Sequence, residues 1–355
     1  MFVQVKLLQG YQKTLTYKIP DCWENKNLDG SVITVPLKNK IVPALVTKIL
    51  FHPPLDINFE IKEAVGRDHL PPDELYPKFV TKISQFYFAP KKLFYQRIRK
   101  FVHTKTQSSS NSVKSPDISS QKSKTIKLTP EQQNVVDYML PLIKRPKYSP
   151  TLLYGVTGSG KTEVYKKIIT ECIKHNKSVL LLLPEVSLSL QFENLLAKQL
   201  NCPIFSFHSA TKAKEKKILW SRLLEQKPTL IIGVHLPTLL PIPNLGCIIV
   251  DEEHEQGFAE KKHPKINSKE VALWRAKFYD IPILLGSATP SLSSLYSVEK
   301  HNFKLFRLTK RFSGNFPKIK TVKIESNKRN SRQSFWITKE LELAISDRLA
   351  KKEQT

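Results

Sequence analysis

The sequence predicts an α/β fold: a parallel sheet of the P-loop type with helices on both faces, preceded by a small, mostly-β domain. Three observations predict it. Short runs apolar at nearly every residue recur between 152 and 285, mostly separated by stretches with helical spacing. Gly155–Thr162 reads G-V-T-G-S-G-K-T at the end of the first such run. Residues 1–50, by contrast, alternate apolar with polar in short stretches, the mark of half-buried strands.

Taken in order, Val3, Val5 and Leu7 alternate with polar neighbours, as do Leu15, Tyr17 and Ile19. Gly30-Ser31 marks a turn before Val32–Leu37, and Pro43–Leu50 supplies a fourth run. Few helix starts interrupt them, so a small β-barrel or an open sheet is expected. Pro71-Pro72-Asp73 then opens a helix over 73–88, with Leu75, Phe79, Ile83 and Phe86 on one stripe. From Thr104 to Thr125 the composition falls to Ser, Lys, Thr and Gln, a flexible linker and a domain boundary. Beyond it come Leu152–Val156, Val179–Leu183, Ile204–Phe207, Leu230–Val234, Cys247–Val250 and Ile283–Leu285. Strands apolar on both faces and joined by crossovers describe a parallel sheet. The segment after Phe303 is basic and ends in a helix-like stretch, Thr338–Ala350.

The chain has 355 residues, room for two or three domains, and 40% of them are apolar and 25% charged. Collagen, mucin and a wholly disordered chain are thereby excluded. No apolar run approaches the ~18–20 residues of a membrane span, and Met1-Phe2-Val3-Gln4 opens no signal peptide, which points to a cytoplasmic protein. Cys22, Cys172, Cys202 and Cys247 lie far apart and read as ordinary buried thiols rather than a zinc site or a disulfide frame. The net charge is +26, and residues 91–127 and 300–332 supply +19 of it. Clustering of that kind suits DNA or RNA as a partner. A lysine-rich genome is the bland alternative, against which the near-neutral central segment argues.

Gly155, Thr157, Gly158, Ser159 and Gly160 form a loop whose glycines let successive N–H groups face a phosphate at the start of a helix. Lys161 would bridge the β- and γ-phosphates of ATP, and the Thr162 hydroxyl would ligate Mg²⁺. Cys247–Val250 is a buried strand from whose end Asp251, Glu252, Glu253 and His254 emerge. Asp251 would hold Mg²⁺ through water, and Glu252 would orient and deprotonate the attacking water. Gly286-Ser287-Ala288-Thr289-Pro290 closes the next run; its resemblance to the S-A-T segment of superfamily 2 helicases implies that Ser287 and Thr289, with His254, couple the γ-phosphate to the nucleic-acid side. Leu128–Gln132 (L-T-P-E-Q) has two readings. Either Gln132 meets adenine, or Thr129 caps a helix with Pro130 at its first position.

P-loop, D-E-x-H and S-A-T in this order resemble the first motor lobe of a superfamily 2 helicase. Longer strings resemble the bacterial primosomal helicases of the PriA type: Gly155–Val164, Pro184–Leu188, Asp251–Glu255, Trp274-Arg275-Ala276 and Ile281–Pro290. The match is strongest over 128–300; Asp29–Leu37 and Phe86–Pro90 resemble the family's N-terminal domain more weakly. The resemblance implies a DNA-binding domain over 1–103, a linker at 104–126, a RecA-like helicase lobe over 127–300, and a basic tail over 301–355 that starts a second lobe. It implies ATP-driven 3′-to-5′ unwinding at stalled forks during replication restart. Implied partners are forked or single-stranded DNA, primosome proteins, single-stranded DNA-binding protein and the replicative helicase loader. Gly30 and Lys62 match the family's pocket for a DNA 3′ end, whereas Leu15 and Thr16 stand where an aromatic-acid pair is expected. Phe258 matches an aromatic of the DNA-contacting loop, and Val234-His235-Leu236 replaces an Arg-Ser pair. The arginine finger and the cysteines that bind zinc belong to the second lobe, so zinc is expected only there and the chain is expected to be inactive alone. A DNA-binding protein without turnover, or another superfamily 2 member such as an RNA helicase, are the alternatives. D-E-E-H-E argues against D-E-A-D proteins, and a P-loop kinase offers no reason for S-A-T.

Overall fold

The computed structural model describes residues 1–10, 13–23, 28–54, 60–102, 127–197, 199–200, 202–208, 211–261, 263–311, 319–323 and 337–353. The expected linker at 104–126 lies outside the described residues. The chain divides into two units, 1–312 and 313–355.

In the first unit, alternation builds the N-terminal sheet from β1 (Phe2–Leu7), β2 (Thr14–Lys18), β3 (Val32–Leu37), β4 (Lys40–Leu50) and a short β5 (Gly66–Arg67). All its pairings are antiparallel, in the order β2-β1-β4-β3-β5. Val3, Val5, Ile33, Val35 and Val46 turn inward and are buried together, as a period of two requires. Residues 62–67 pair with both sides of this sheet. Lys18 N–H donates to the Lys62 carbonyl at 3.0 Å, and Val65 N–H to the Thr34 carbonyl at 2.9 Å. This bridge favours the barrel over the open sheet.

Helices α1 (Tyr76–Phe86), α2 (Lys91–Val102) and α3 (Pro130–Lys144) lead into the second sheet. Its strands are β6 (Ser149–Gly155), β7 (Ser178–Leu182), β8 (Ile204–Ser206), β9 (Leu230–Gly233), β10 (Leu245–Val250), β11 (Pro282–Ser287) and β12 (Lys304–Leu308). All are parallel, in the order β12-β6-β11-β10-β7-β9-β8. The remaining helices of this unit are α4 (Lys161–Lys174), α5 (Val186–Ala197), α6 (Ala213–Leu224), α7 (Ser268–Phe278) and α8 (Leu292–Lys300). Alternate residues of each strand enter two different cores. Leu180, Leu182, Ile248 and Val250 pack with α6 and α7, while Leu181, Ile249 and Leu284 pack with α3 and α4. Burial on both faces is why these strands are apolar throughout. The architecture is that of a RecA-like α/β lobe with a small β domain ahead of it.

Five features differ from the sequence reading. The helix expected over 73–88 begins at Tyr76, because Asp73 stays outside it and its carboxylate accepts from Tyr76 N–H at 3.1 Å. Its buried stripe is Tyr76, Phe79, Val80 and Ile83, whereas Leu75 and Phe86 are exposed. Both α1 and α2 share a core with the parallel sheet as well as with Leu8, Val32 and Leu45 of the β domain, so the core of the α/β lobe recruits residues well ahead of 127. Finally, β12 carries the sheet past residue 300 into the basic tail. Cys172 and Cys247 are buried as expected, but Cys22 is exposed. In the second unit, Thr338 caps α9 (Lys339–Ala350) by accepting from Leu341 N–H at 3.2 Å. No helix among the described residues is long and apolar enough to cross a membrane.

Candidate functional site

Three neighbouring strands, β6, β11 and β10, end side by side, and the residues that follow them converge. Ligands of open α/β sheets bind at these carboxyl ends. After β6 the P-loop curls through Gly158 (φ +78°) and Gly160 (φ +81°), left-handed conformations that glycine adopts without strain. A Cβ at Gly160 would overlap the Gln132 side chain. The loop ends at the N-terminus of α4, whose first-turn N–H groups and dipole favour an anion. Ser159 Oγ is buried without a hydrogen-bond partner, as suits a loop built around a ligand's oxygens. Lys161 Nζ donates to the Gly155 carbonyl at 3.0 Å and stands 3.8 Å from Glu252 Oε1.

Asp251 leaves β10 almost fully buried, and Tyr165, one helical turn after Lys161, donates to its Oδ1 at 2.7 Å. Burial pushes the Asp251 carboxyl up to about 6; the Tyr165 hydrogen bond and Lys161 oppose that rise, and Glu252 adds to it. Gly286 of β11 makes this packing possible, since a Cβ there would overlap the Tyr165 hydroxyl. Glu252 takes a left-handed backbone (φ +48°), costly for a non-glycine residue, and this turns it out of the strand direction beside Lys161. His254 Nδ1 lies 2.7 Å from Ser287 Oγ, which also accepts from Thr289 N–H at 3.0 Å. His254 Nδ1 is also 3.6 Å from Glu252 Oε2. The expected couplers thus touch one another and the expected base.

Glu253, whose role the sequence left unread, is 1% exposed and anchors this junction. Its carboxylate accepts from Lys269 Nζ (2.8 Å), Ser291 N–H (2.8 Å) and Ser294 Oγ (2.8 Å). Burial pushes its carboxyl up, but these donors, Lys269 first, outweigh it and hold the carboxyl below its ordinary range. Among the described residues no three His, Cys, Asp or Glu side chains gather into a metal centre. A divalent cation at this site would take Asp251, at the end of β10, and Thr162, in the first turn of α4, with substrate oxygens and water completing its shell.

Two of the expected contact residues are buried. Gln132 is 1% exposed, and both ends of its amide are engaged. Its Oε1 accepts from Thr129 N–H at 2.9 Å in a capping box, and its Nε2 donates to the Ser159 carbonyl at 2.9 Å. The expected Thr129 cap is present, and the Gln132 amide supports the P-loop. Phe258 is also 1% exposed, packed in the lobe core, so its ring is not presented to nucleic acid. Gly30 (φ +67°) lies against Pro77 and Tyr95, where a Cβ would come within 3.1 Å of Pro77 Cβ and 3.3 Å of the Tyr95 hydroxyl. Lys62 is exposed beside the end of β2.

A family model described as DEAD/DEAH box helicase matches residues 120–298. Replication restart protein PriA of Bacillus subtilis is 32% identical over 234 residues, covering 66% of this chain and 29% of that protein. The PriA of Rickettsia felis is 29% identical over 333 residues, covering 92% of this chain and 48% of that one. The chain spans at most about half the length of these curated relatives. Among solved structures, RecG bound to a three-way DNA junction is similar with a TM-score of 0.42 and 19% identity, covering 69% of this chain and 30% of that one.

Proposed function

The chain belongs to the DEAD/DEAH box helicase family and is PriA-like within it, and we propose that it is the nucleotide-binding part of an ATP-dependent 3′-to-5′ DNA helicase of replication restart. The observation that carries this reading is the convergence of Lys161, Asp251, Glu252, His254 and Ser287 at the ends of three adjacent strands. In this reading the N–H groups of Gly158–Thr162 bind the β-phosphate, and the Lys161 ammonium reaches the β- and γ-phosphates. Thr162 and Asp251 would hold magnesium, which would supply charge neutralisation on the phosphate oxygens. Glu252 orients a water and accepts its proton, a role served by its position beside Lys161 at the mouth of the site. His254 and Ser287 then carry the change at the γ-phosphate into the segments on either side. The substrate would be forked or single-stranded DNA, with primosome proteins, single-stranded DNA-binding protein and a helicase loader as partners in the cytoplasm.

Equilibrium titration with ATP and Mg²⁺ tests the reading. A charged phosphate contact is worth roughly 1.5–3 kcal/mol, so Lys161→Ala should weaken binding about tenfold or more. Unchanged affinity in that variant would remove the P-loop assignment.

A further inference from the structure

The nucleotide reading leaves unused a short arm that lies against the P-loop. We propose that Arg311, carried there by the strand after the S-A-T segment, stacks its guanidinium on the purine ring of the bound nucleotide. The inference rests on the nucleotide reading above and deepens it by naming what grips the nucleoside end.

Register is the first support. β12 runs parallel to β6 with Leu308 beside Gly155, so the chain leaves the sheet where the P-loop begins, and Val156 N–H donates to the Leu308 carbonyl at 3.4 Å. Anchoring is the second. Thr309 donates twice to Glu131, from its N–H at 2.8 Å and its hydroxyl at 2.7 Å. Glu131 sits in the first turn of α3 beside Gln132, which itself holds the Ser159 carbonyl. Arg311 Nε then donates to the Thr157 carbonyl at 2.9 Å. Segment, helix start and loop are thus tied into one wall, and the arginine is held in place before any ligand arrives.

Direction is the third support. The order β12-β6-β11-β10 puts Asp251 and Glu252, at the end of β10, on one side of the P-loop and Arg311 on the other. A triphosphate with its γ-phosphate at the acids must point its nucleoside toward β12. A planar guanidinium stacks on flat rings as a lysine ammonium cannot, and fixing its Nε lowers the entropy lost on contact.

Calorimetric titration of the full chain with Mg-ATP and with inorganic tripolyphosphate tests this, using wild type, Arg311→Ala, Arg311→Lys and Lys161→Ala. Arg311→Ala should lose about tenfold in ATP affinity, as one cation–π contact of ~1–2 kcal/mol implies, and keep the wild-type affinity for tripolyphosphate. Arg311→Lys should recover little of the loss, whereas Lys161→Ala should weaken both ligands. Equal weakening of both ligands by Arg311→Ala, unchanged ATP affinity, or full recovery by lysine would each overturn the stacking role. A wild-type chain that binds neither ligand removes the nucleotide reading, and this inference with it. Thermal melting of the variants separates these results from misfolding. If Arg311→Ala melts well below wild type, Thr309→Val, which cuts one tether of the arm, should still lower ATP affinity selectively.

Discussion

Single residues of the site are chosen by burial as much as by charge. Asp251 is 6% exposed, and the rise of its carboxyl from 3.8 to about 6 records what burial of the charge costs. Because the folded state holds this proton more tightly than the unfolded chain, the contribution is fully present below about pH 4 and lost as pH rises through about 6. The loss is on the order of 2–3 kcal/mol, at about 1.4 kcal/mol per pKa unit. Asp251→Asn keeps an acceptor for Tyr165 and carries no charge. In urea titrations with EDTA present, its stability should stay level from pH 4 to 6 where wild type declines, and should exceed wild type at pH 7. A wild-type profile as level as the variant's would show that the buried carboxylate is solvated after all. Gly286 belongs to the same packing. Gly286→Ala would drive Tyr165 off Asp251, so ATPase measured with the Lys161 site intact should fall at least tenfold, the scale of about 1.4 kcal/mol. Sequence alone exposes Lys161, Asp251 and Glu252, because their chemistry is tied to fixed spacing after a strand. Tyr165, Glu253 and Arg311 lack such a motif; they matter through contacts 16 to 154 positions away in the chain, which no local pattern encodes.

At the scale of elements, the long apolar strands were legible because both faces are buried, whereas α2 and β12 were hidden by their cations. In α2, Phe94, Tyr95 and Ile98 already keep a helical spacing and are buried, but five basic residues around them read as a solvated charge run. In β12, Lys304 and Arg307 flank Leu305, Phe306 and Leu308, as an edge strand allows. What fastens α1 to the lobe is a buried ion pair that the sequence marks only as Trp274-Arg275-Ala276. Arg275 is 0% exposed, lies 3.6 Å from Asp73 Oδ2, and donates to the Thr238 carbonyl at 3.1 Å. Phe79 and Tyr279 flank its guanidinium at 5.4 and 4.9 Å from their ring centres. Asp73 also accepts from the Tyr279 hydroxyl at 2.8 Å and from Ile242 N–H at 3.2 Å. Removing one member leaves the other buried and unpaired, so Arg275→Met should cost about 3–5 kcal/mol in chemical unfolding. Asp73→Asn combined with Arg275→Met should recover a large part of that. If the double variant is no better than the single, the arginine acts through packing rather than through its charge.

For the whole molecule, the +26 charge overstates what is on offer to a polyanion. On α2, Arg97 is engaged by Glu260 at 2.5 Å and Arg99 by Asp68 at 2.9 Å. DNA affinity should therefore fall steeply with salt through counterion release, yet change little in Arg99→Gln. Forked DNA should outcompete plain duplex at fixed salt if the β domain reads the junction. Hydrolysis is the sharper test of the chain as a motor. In the proposed reading Lys161, Asp251 and Glu252 bind nucleotide and place water, but well-studied nucleotide hydrolases gain about 10³–10⁵ in rate from an arginine at the γ-phosphate. Among the described residues the arginine that touches the P-loop, Arg311, does so at Thr157, on the β12 side and away from β10 and β11. It is placed for the nucleoside and not for the γ-phosphate. The 355-residue chain should thus bind Mg-ATP while showing only slow hydrolysis that forked DNA does not stimulate, in a phosphate-release assay with and without the fork. Fast fork-stimulated turnover, abolished by Glu252→Gln, would instead show that an arginine does reach the γ-phosphate.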